Sequence, residues 1–132
     1  MKIEGYTTDE ILALSDEEID AFAFTAAPLV LRVGTAQILG EFRLTPDRIT
    51  VELAHIDGGG EGVLPSLWLL TERIATRRMI AEVEWIVHAI NCANPNMKLR
   101  RVLERRGFTV RDVPGVGAAY YQLHKIPSET AI

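Results

Sequence analysis

A glutamate and a histidine occur at a spacing that suits acid–base chemistry. Glu84 and His88 are four residues apart in the apolar run IAEVEWIVHAI. Because side chains alternate along a strand, both lie on the same face if this run is a strand. A carboxylate beside an imidazole can then act as an acid–base pair. The alternative for His88 is a hydrogen-bonded core residue without a chemical role.

Two adjacent tyrosines are the next candidates for proton transfer. Tyr120 and Tyr121 belong to the segment AAYYQLHK, and neighbours on a strand point to opposite faces. One of the two phenols therefore faces any cleft on the sheet, where it can serve as an acid; the alternative is that both are packing residues. Cys92 follows the IAEVEWIVHAI run, and a small buried residue is the preferred interpretation for it.

A glycine-rich stretch, HIDGGGEGVLPSL, separates an apolar segment from a helical pattern. A loop that enters a helix presents unpaired backbone amides at the positive end of the helix dipole, and glycines let a phosphate approach them. The stretch lacks the spacing of the GxGxxG fingerprint, and no lysine–hydroxyl pair follows it as in a Walker loop. It predicts an anion site or, as the alternative, a plain flexible connection. His55 adjoins the loop, where it can act as a cap.

The elements that must position these residues follow from the hydrophobic pattern. Helices are predicted at residues 8–14 and 16–24, where Ser15 and Glu18 fit a capping box. Strands are predicted at residues 27–33, 36–44 and 49–56, with the last two forming an antiparallel hairpin around the TPDR turn. An amphipathic helix is predicted over 63–77, followed by a buried strand at 80–90. The strand–helix–strand unit implies a right-handed crossover between parallel strands, in a sheet otherwise built from hairpins.

The clearest local prediction is a helix in NPNMKLRRVLERRGF. Asn94 is expected to cap it, Pro95 to open it and Gly107 to end it in a left-handed conformation. Strands are predicted to follow at 109–113 and 118–125, on either side of the PGVG turn. The helix carries a run of basic residues, which predicts either a solvated face or a surface for an anionic ligand or partner. These residues are Lys98, Arg100, Arg101, Arg105 and Arg106.

Length and composition limit the class of protein. A chain of 132 residues with 48% apolar and 24% charged residues is expected to form one globular domain. A net charge of −4 argues against general nucleic-acid binding, and a single cysteine excludes an internal disulfide. The sequence has neither an apolar run of membrane-spanning length nor the pattern of a signal peptide. A cytoplasmic location is therefore expected, without a membrane association and without a metal site.

The order of these elements resembles the GNAT superfamily of acyl-CoA-dependent N-acyltransferases. That family has two early helices, a three-stranded meander and a pyrophosphate loop of the form Gln/Arg-x-x-Gly-x-Gly/Ala, onto which Asp57 to Gly62 falls. An asparagine, a short helix and a Gly-Phe pair form a second family signature, matched by Asn96 and by Gly107-Phe108. The resemblance covers roughly residues 8–125, with only a first edge strand missing. It implies a GNAT-like mixed, mostly antiparallel sheet with a central parallel strand–helix–strand unit and helices on both faces.

The resemblance also implies an activity and a set of site residues. The expected reaction moves an acetyl group from acetyl-CoA to a primary amine of a small molecule or a protein. Pantetheine would enter between the central parallel strands, and Glu52 would be the base, with Glu84 and His88 in reserve and Tyr120 as an acid. The alternative for Glu52 is a solvent-facing strand residue. The cofactor-binding residues would be Gly58, Gly59, Gly60, Glu61, Gly62, Val63 and Asn96. A homodimer is a further expectation.

Three positions depart from the family pattern. Asp57 replaces the expected Gln or Arg, and Glu61 adds a second carboxylate near the place of the pyrophosphate. Leu103 occupies the position of a tyrosine that often protonates the departing CoA thiolate. These departures favour the alternative of a catalytically silent GNAT-fold module that binds CoA or a protein.

Overall fold

A computed structural model describes residues 1–57, 62–90 and 97–127 of the chain. Those ranges contain eight strands, which form one sheet, and four helices. In chain order the elements are β1 (Lys2–Ile3), β2 (Tyr6–Thr7), α1 (Thr8–Leu12), α2 (Asp16–Ala23), β3 (Leu29–Val33), β4 (Ala36–Leu44), β5 (Arg48–Asp57), α3 (Val63–Arg77), β6 (Glu82–Val87), α4 (Met97–Arg105), β7 (Thr109–Val113) and β8 (Gly117–Lys125).

The strand order across the sheet is β2-β1-β3-β4-β5-β6-β8-β7. All neighbouring strands are antiparallel except β5 and β6, which are parallel and joined through α3. The predicted β4–β5 hairpin is confirmed, with Leu44 opposite Ile49 beside the turn. The GNAT-like mixed α/β class predicted from the order of elements is confirmed as well.

The expected absence of a first edge strand was wrong. β1 pairs with both β2 and β3, so a short hairpin precedes α1 and extends the sheet at that edge. Each of these strands has only two residues. Alternation of side chains cannot be recognised over two residues, so the hydrophobic pattern contains no signal for them.

The two faces of the central strands differ in chemistry. On one face, Ile49, Val51 and Leu53 of β5 and Val83, Trp85 and Val87 of β6 are almost fully buried in the main core. The other face carries Thr50, Glu52 and Glu84, and the two glutamates are only half-buried. We call these the core face and the polar face. The apolar run had predicted that β6 is buried on both faces. This prediction was wrong, because the polar face of β6 is only partly buried.

The buried residues of all four helices belong to the core on the first of these faces, so the prediction of helices on both faces of the sheet was wrong. α3 contributes most of them, and its Trp68 stacks on Trp85 with ring centroids 4.8 Å apart. At the other end of α3, Arg77 donates hydrogen bonds to the carbonyl oxygens of Leu12 and Leu14. The Arg78 guanidinium pairs with Asp20 at 2.5 Å. The C-terminal end of α3 therefore holds the first two helices against the sheet.

The ends of the helices follow the sequence signals. Ser15 and Glu18 form the predicted capping box at α2, and Thr7 with Glu10 forms a second one at α1. Gly107 follows α4 with φ of +87°, and the Phe108 amide donates to the Leu103 carbonyl oxygen at 3.0 Å. This closing geometry needs a left-handed residue, which explains the glycine. None of the helices in the described ranges is long and apolar enough to cross a membrane.

Candidate active site

A chain of charged side chains crosses the polar face from β4 to the end of β6. Glu52 of β5 lies between two basic partners. Its Oε2 atom is 2.7 Å from Nε2 of His88, and its Oε1 atom accepts a hydrogen bond from Nη2 of Arg43 at 2.9 Å. Nη1 of Arg43 donates in turn to Oε1 of Glu41 at 3.2 Å. The structure thus joins two of the predicted catalytic residues, Glu52 and His88, and adds an arginine that the sequence did not indicate.

The electrostatic setting of Glu52 favours the ionised form of its carboxyl. Partial burial acts to raise the pKa of its carboxyl, but the hydrogen bonds from His88 and Arg43 and their charges outweigh burial. The net effect is a pKa below the usual value. Glu52 is therefore a stable carboxylate at neutral pH, which suits it to hold a cationic or donating group better than to abstract a proton.

Glu84 belongs to a separate cluster on the same face. Its Oε2 accepts a hydrogen bond from the Tyr121 hydroxyl at 2.7 Å and from Nη1 of Arg48 at 3.3 Å, and its Oε1 accepts from Thr50 at 3.0 Å. Arg48 also binds Glu82, which pairs with Lys125. The proposed pairing of Glu84 with His88 is therefore replaced by two pairings, His88 with Glu52 and Glu84 with Tyr121. The two residues do share a face, but each side chain turns to a partner on a neighbouring strand.

The two tyrosines face opposite sides, as alternation predicts. Tyr121 lies on the polar face, while Tyr120 is buried on the core side and donates its hydroxyl proton to Oε1 of Glu104 at 2.9 Å. Burial, together with that bond to the Glu104 carboxylate, raises the pKa of Tyr120. Its phenol reaches α4 one residue beyond Leu103. Burial and the bond to Glu84 raise the pKa of Tyr121 in the same way.

The pair formed by Glu52 and His88 stands where the two parallel strands separate. The ladder between β5 and β6 runs to Leu53 and Val87, and the His88 amide still donates to the Leu53 carbonyl oxygen at 2.9 Å. Past this point β5 stays paired with β4, whereas Arg100 of α4 binds the carbonyl oxygens of Ala89 and Ile90. The chain after β6 is thus held toward α4, and the pairing of the two parallel strands ends at His88.

A bulge in β5 marks the same place. Ala54 pairs with Leu39, and Asp57 pairs with Gln37. Between these two pairs, β5 has two residues and β4 has only one, so β5 is bulged. One of the two is His55, whose φ of +52° lies in the left-handed region. Histidine is among the few residue types enriched there, although the conformation is uncommon for any side chain. A bulge turns backbone groups out of the ladder, so the end of β5 can present an amide at the place where the pairing with β6 ends. The sequence pattern contained no sign of this bulge.

The start of α3 offers a site for an anion. Gly62 precedes it without a side-chain cap, and its first turn contains no acidic residue, whereas α1 and α2 have both. A Cβ placed on Gly62 would meet only Cγ1 of Val33, at 3.8 Å. Val63 is fully buried, backbone included, which speaks against its predicted role as a ligand residue, whereas Gly62 is exposed. Backbone amides at the start of a helix are a general binding site for phosphate groups, and the pyrophosphate of CoA is such a group. The predicted ligand residues Gly58, Gly59, Gly60, Glu61 and Asn96 lie outside the described residues, as does Cys92.

The basic helix α4 divides into two groups of side chains. Arg100 binds backbone carbonyl oxygens, and the Arg106 guanidinium lies over the Trp68 ring at 5.9 Å. Lys98, Arg101 and Arg105 are exposed. The first group is structural, and the second remains available for an anionic ligand. In the described part of the chain, no group of His, Cys, Asp and Glu side chains is arranged to hold a metal ion.

Comparison with known proteins supports the fold. No protein-family model and no curated protein sequence matches this chain. Among solved structures, it is similar to Ard1 from Thermoplasma volcanium, with a TM-score of 0.50 and 12% sequence identity over 96% of this chain and 98% of the Ard1 chain. Ard1 is an N-terminal acetyltransferase of the GNAT family. At this level of identity the likeness establishes a GNAT-like fold and assigns no residue a role.

Proposed function

We propose that this protein is an N-acyltransferase that moves an acyl group, acetyl in the first instance, from acyl-CoA to a primary amine. The observation that carries the proposal is the 2.7 Å contact between Glu52 and His88 at the point where the parallel strands separate. The GNAT-like fold, shared with an acetyltransferase, supports it. Transfer to an amine requires a group that removes the amine proton, and this pair is a suitable one.

Different residues would serve the separate parts of this reaction. The exposed backbone at the start of α3, at Gly62, would hold the pyrophosphate of CoA, and CoA would supply an acyl group activated as a thioester. The pantetheine arm would enter between the two strands where their pairing ends, after Leu53 and His88. The bulge around His55 would turn a backbone amide toward the developing negative charge. His88, held by the Glu52 carboxylate, would take the proton from the amine.

The test combines binding and turnover. CoA and acetyl-CoA should raise the melting temperature, because a ligand that binds only the folded state stabilises it. A Gly60→Val/Gly62→Val variant should fold normally and lose this shift; an unchanged shift in that variant would refute the pyrophosphate site. Turnover of acetyl-CoA is then measured on a panel of small amines and peptides. Peptide N-termini are included because Ard1 is an N-terminal acetyltransferase.

Variants of the pair test its role in this reaction. Loss of a proton-transfer group typically lowers the rate by about a hundred- to ten-thousand-fold, so Glu52→Gln and His88→Ala should lose most turnover and still bind CoA. His124→Ala is a matched control, since His124 pairs with Glu72 on the opposite face. Tyr120→Phe tests whether the Tyr120 phenol replaces the acid that the family often has at the position of Leu103. Full activity in both Glu52→Gln and His88→Ala would refute the assignment.

A second candidate function is a GNAT-fold module that binds CoA or a protein without catalysis. Leu103 favours it, because this fully buried aliphatic side chain stands where the family often has an acid. Tight CoA binding without turnover on any amine would support this function over the first. The cytoplasmic location, the identity of the acceptor and the homodimer stay predictions.

A further inference from the structure

The carboxylate of Glu52 is held from two sides, with one oxygen for each partner. Oε2 contacts Nε2 of His88, and Oε1 accepts from Nη2 of Arg43. The second nitrogen of the guanidinium binds Glu41, which limits rotation of the arginine. The exposed fractions of the Glu52 and His88 side chains are 20% and 30%, so the pair is partly shielded from water. Arg43 therefore determines where the Glu52 carboxylate points.

This arrangement decides which nitrogen of His88 carries the proton. An ionised carboxylate only accepts hydrogen bonds, so Nε2 must donate to it. In a neutral imidazole with a proton on Nε2, the lone pair is on Nδ1. Nε2 is occupied by Glu52, and Nδ1 is the nitrogen that can accept a proton from another molecule.

We propose that Arg43 is a positioning residue for the transfer reaction: it anchors Glu52, which in turn holds the His88 ring with Nδ1 as the proton acceptor. The inference rests on the proposed acyltransferase function. In the step itself, the amine nitrogen bonds to the acyl carbon and the carbon–sulfur bond breaks. One amine proton passes to Nδ1 and then to the sulfur, so that an amide and a free thiol are the products. Glu52 is thus an orienting carboxylate, and His88 is the base.

A second arginine on the same face provides a matched control. Arg48 pairs with Glu82 and Glu84 as Arg43 pairs with Glu41 and Glu52. The Glu84 carboxylate, however, accepts from hydroxyl groups, not from an imidazole. The exposed fractions of the two arginines are also close, 37% and 40%. Exposed ion pairs contribute little to folding stability. A loss of activity confined to Arg43 variants would therefore report positioning.

The first experiment needs no acyl donor. Nitrogen and proton NMR of the neutral imidazole should show a single Nε2–H tautomer with an exchange-protected Nε2 proton in the wild type. Arg43→Gln should lose that protection and populate both tautomers, Arg43→Lys should retain most of it, and Arg48→Gln should match the wild type. A protected Nε2 proton that is unchanged in Arg43→Gln would overturn the inference.

The second experiment measures kcat and KM on an amine that the wild type acylates. Misplacing a reacting group can lower a rate by about a hundred-fold, so Arg43→Gln should lower kcat by about ten- to a hundred-fold with little change in KM, and Arg43→Lys should recover part of the loss. An unchanged kcat in Arg43→Gln would refute only the positioning role. Absence of turnover in the wild type would instead refute the proposed function, and the positioning role with it.

Discussion

His88 lies one residue beyond the end of β6, and its ring reaches back to Glu52 on the neighbouring parallel strand with 2.7 Å between Nε2 and Oε2. In the ladder, Glu52 stands opposite Ile86, so the contact is diagonal by two residues. It needs both the parallel register and the turn of the chain after Val87. The proposed proton transfer depends on that register.

The stabilising effect of Glu52 should depend on pH. Because its pKa is lowered in the folded protein, the carboxylate stabilises the fold above its unfolded pKa, near 4.5, and this contribution disappears as the pH falls through the folded pKa. We expect Glu52→Gln to lower the free energy of unfolding at about pH 7 and to approach the wild type at about pH 3. Urea unfolding of both proteins across this range provides the check. A difference that does not change with pH would contradict the lowered pKa.

Two polar atoms of the core face should reduce stability. In the described ranges, Nε1 of Trp85 and Oε1 of Gln122 are buried without a hydrogen-bond partner, and the two residues are opposite each other on β6 and β8. Removing an unsatisfied buried group recovers about 1 kcal/mol or more, so Gln122→Met should raise the free energy of unfolding by about that amount. Gln122→Glu should lower it, since a carboxylate is costlier to bury. A less stable Gln122→Met protein would show that the amide makes a contact that matters.

Gly40 should not tolerate a larger residue. A Cβ at this position would stand 2.7 Å from Cδ1 of Leu31 on the adjacent strand. Overpacking a core typically costs about 1–3 kcal/mol, so we expect Gly40→Ala to lower the free energy of unfolding by an amount in this range. Thermal and urea unfolding measure it. A Leu31→Val/Gly40→Ala double variant should be more stable than the sum of the single effects predicts, because the shorter side chain removes the clash. Additive effects would argue against the clash.

The exposed basic residues of α4 should contribute to binding of the CoA 3′-phosphate. Replacing Lys98, Arg101 and Arg105 with glutamine should weaken binding of CoA several-fold and leave dephospho-CoA unaffected, since only CoA has the additional phosphate. The difference between the two ligands in the wild type should shrink at high salt. Isothermal titration calorimetry measures both. Equal affinities of the wild type for the two ligands at low salt would show that these residues do not bind the 3′-phosphate and form only a solvated face.

Much of the fold could be predicted from local signals. α3 and β4 have the predicted bounds, and the end of α4 follows from one glycine, because capping, turn chemistry and periodicity act over a few residues. β1 and β2 were missed because two-residue strands have no period. The reduced burial of β6 on one face was missed as well, since an apolar run does not reveal which face lacks a helix.

The sequence by itself determined the order of the elements and the glycines before α3. Through alternation it also determined that Glu84 and His88 share one face of the sheet and that Tyr120 and Tyr121 lie on opposite faces. Only the tertiary structure decided which of those side chains meet. Glu52 and His88 are 36 residues apart, and the register between their parallel strands depends on how α3 packs across the sheet. Arg43 could not be recognised, since an arginine nine residues before Glu52 becomes its neighbour only when the β4–β5 hairpin closes. Proton-transfer chemistry depends on distances of a few ångströms between residues remote in sequence, and only long-range packing determines these distances.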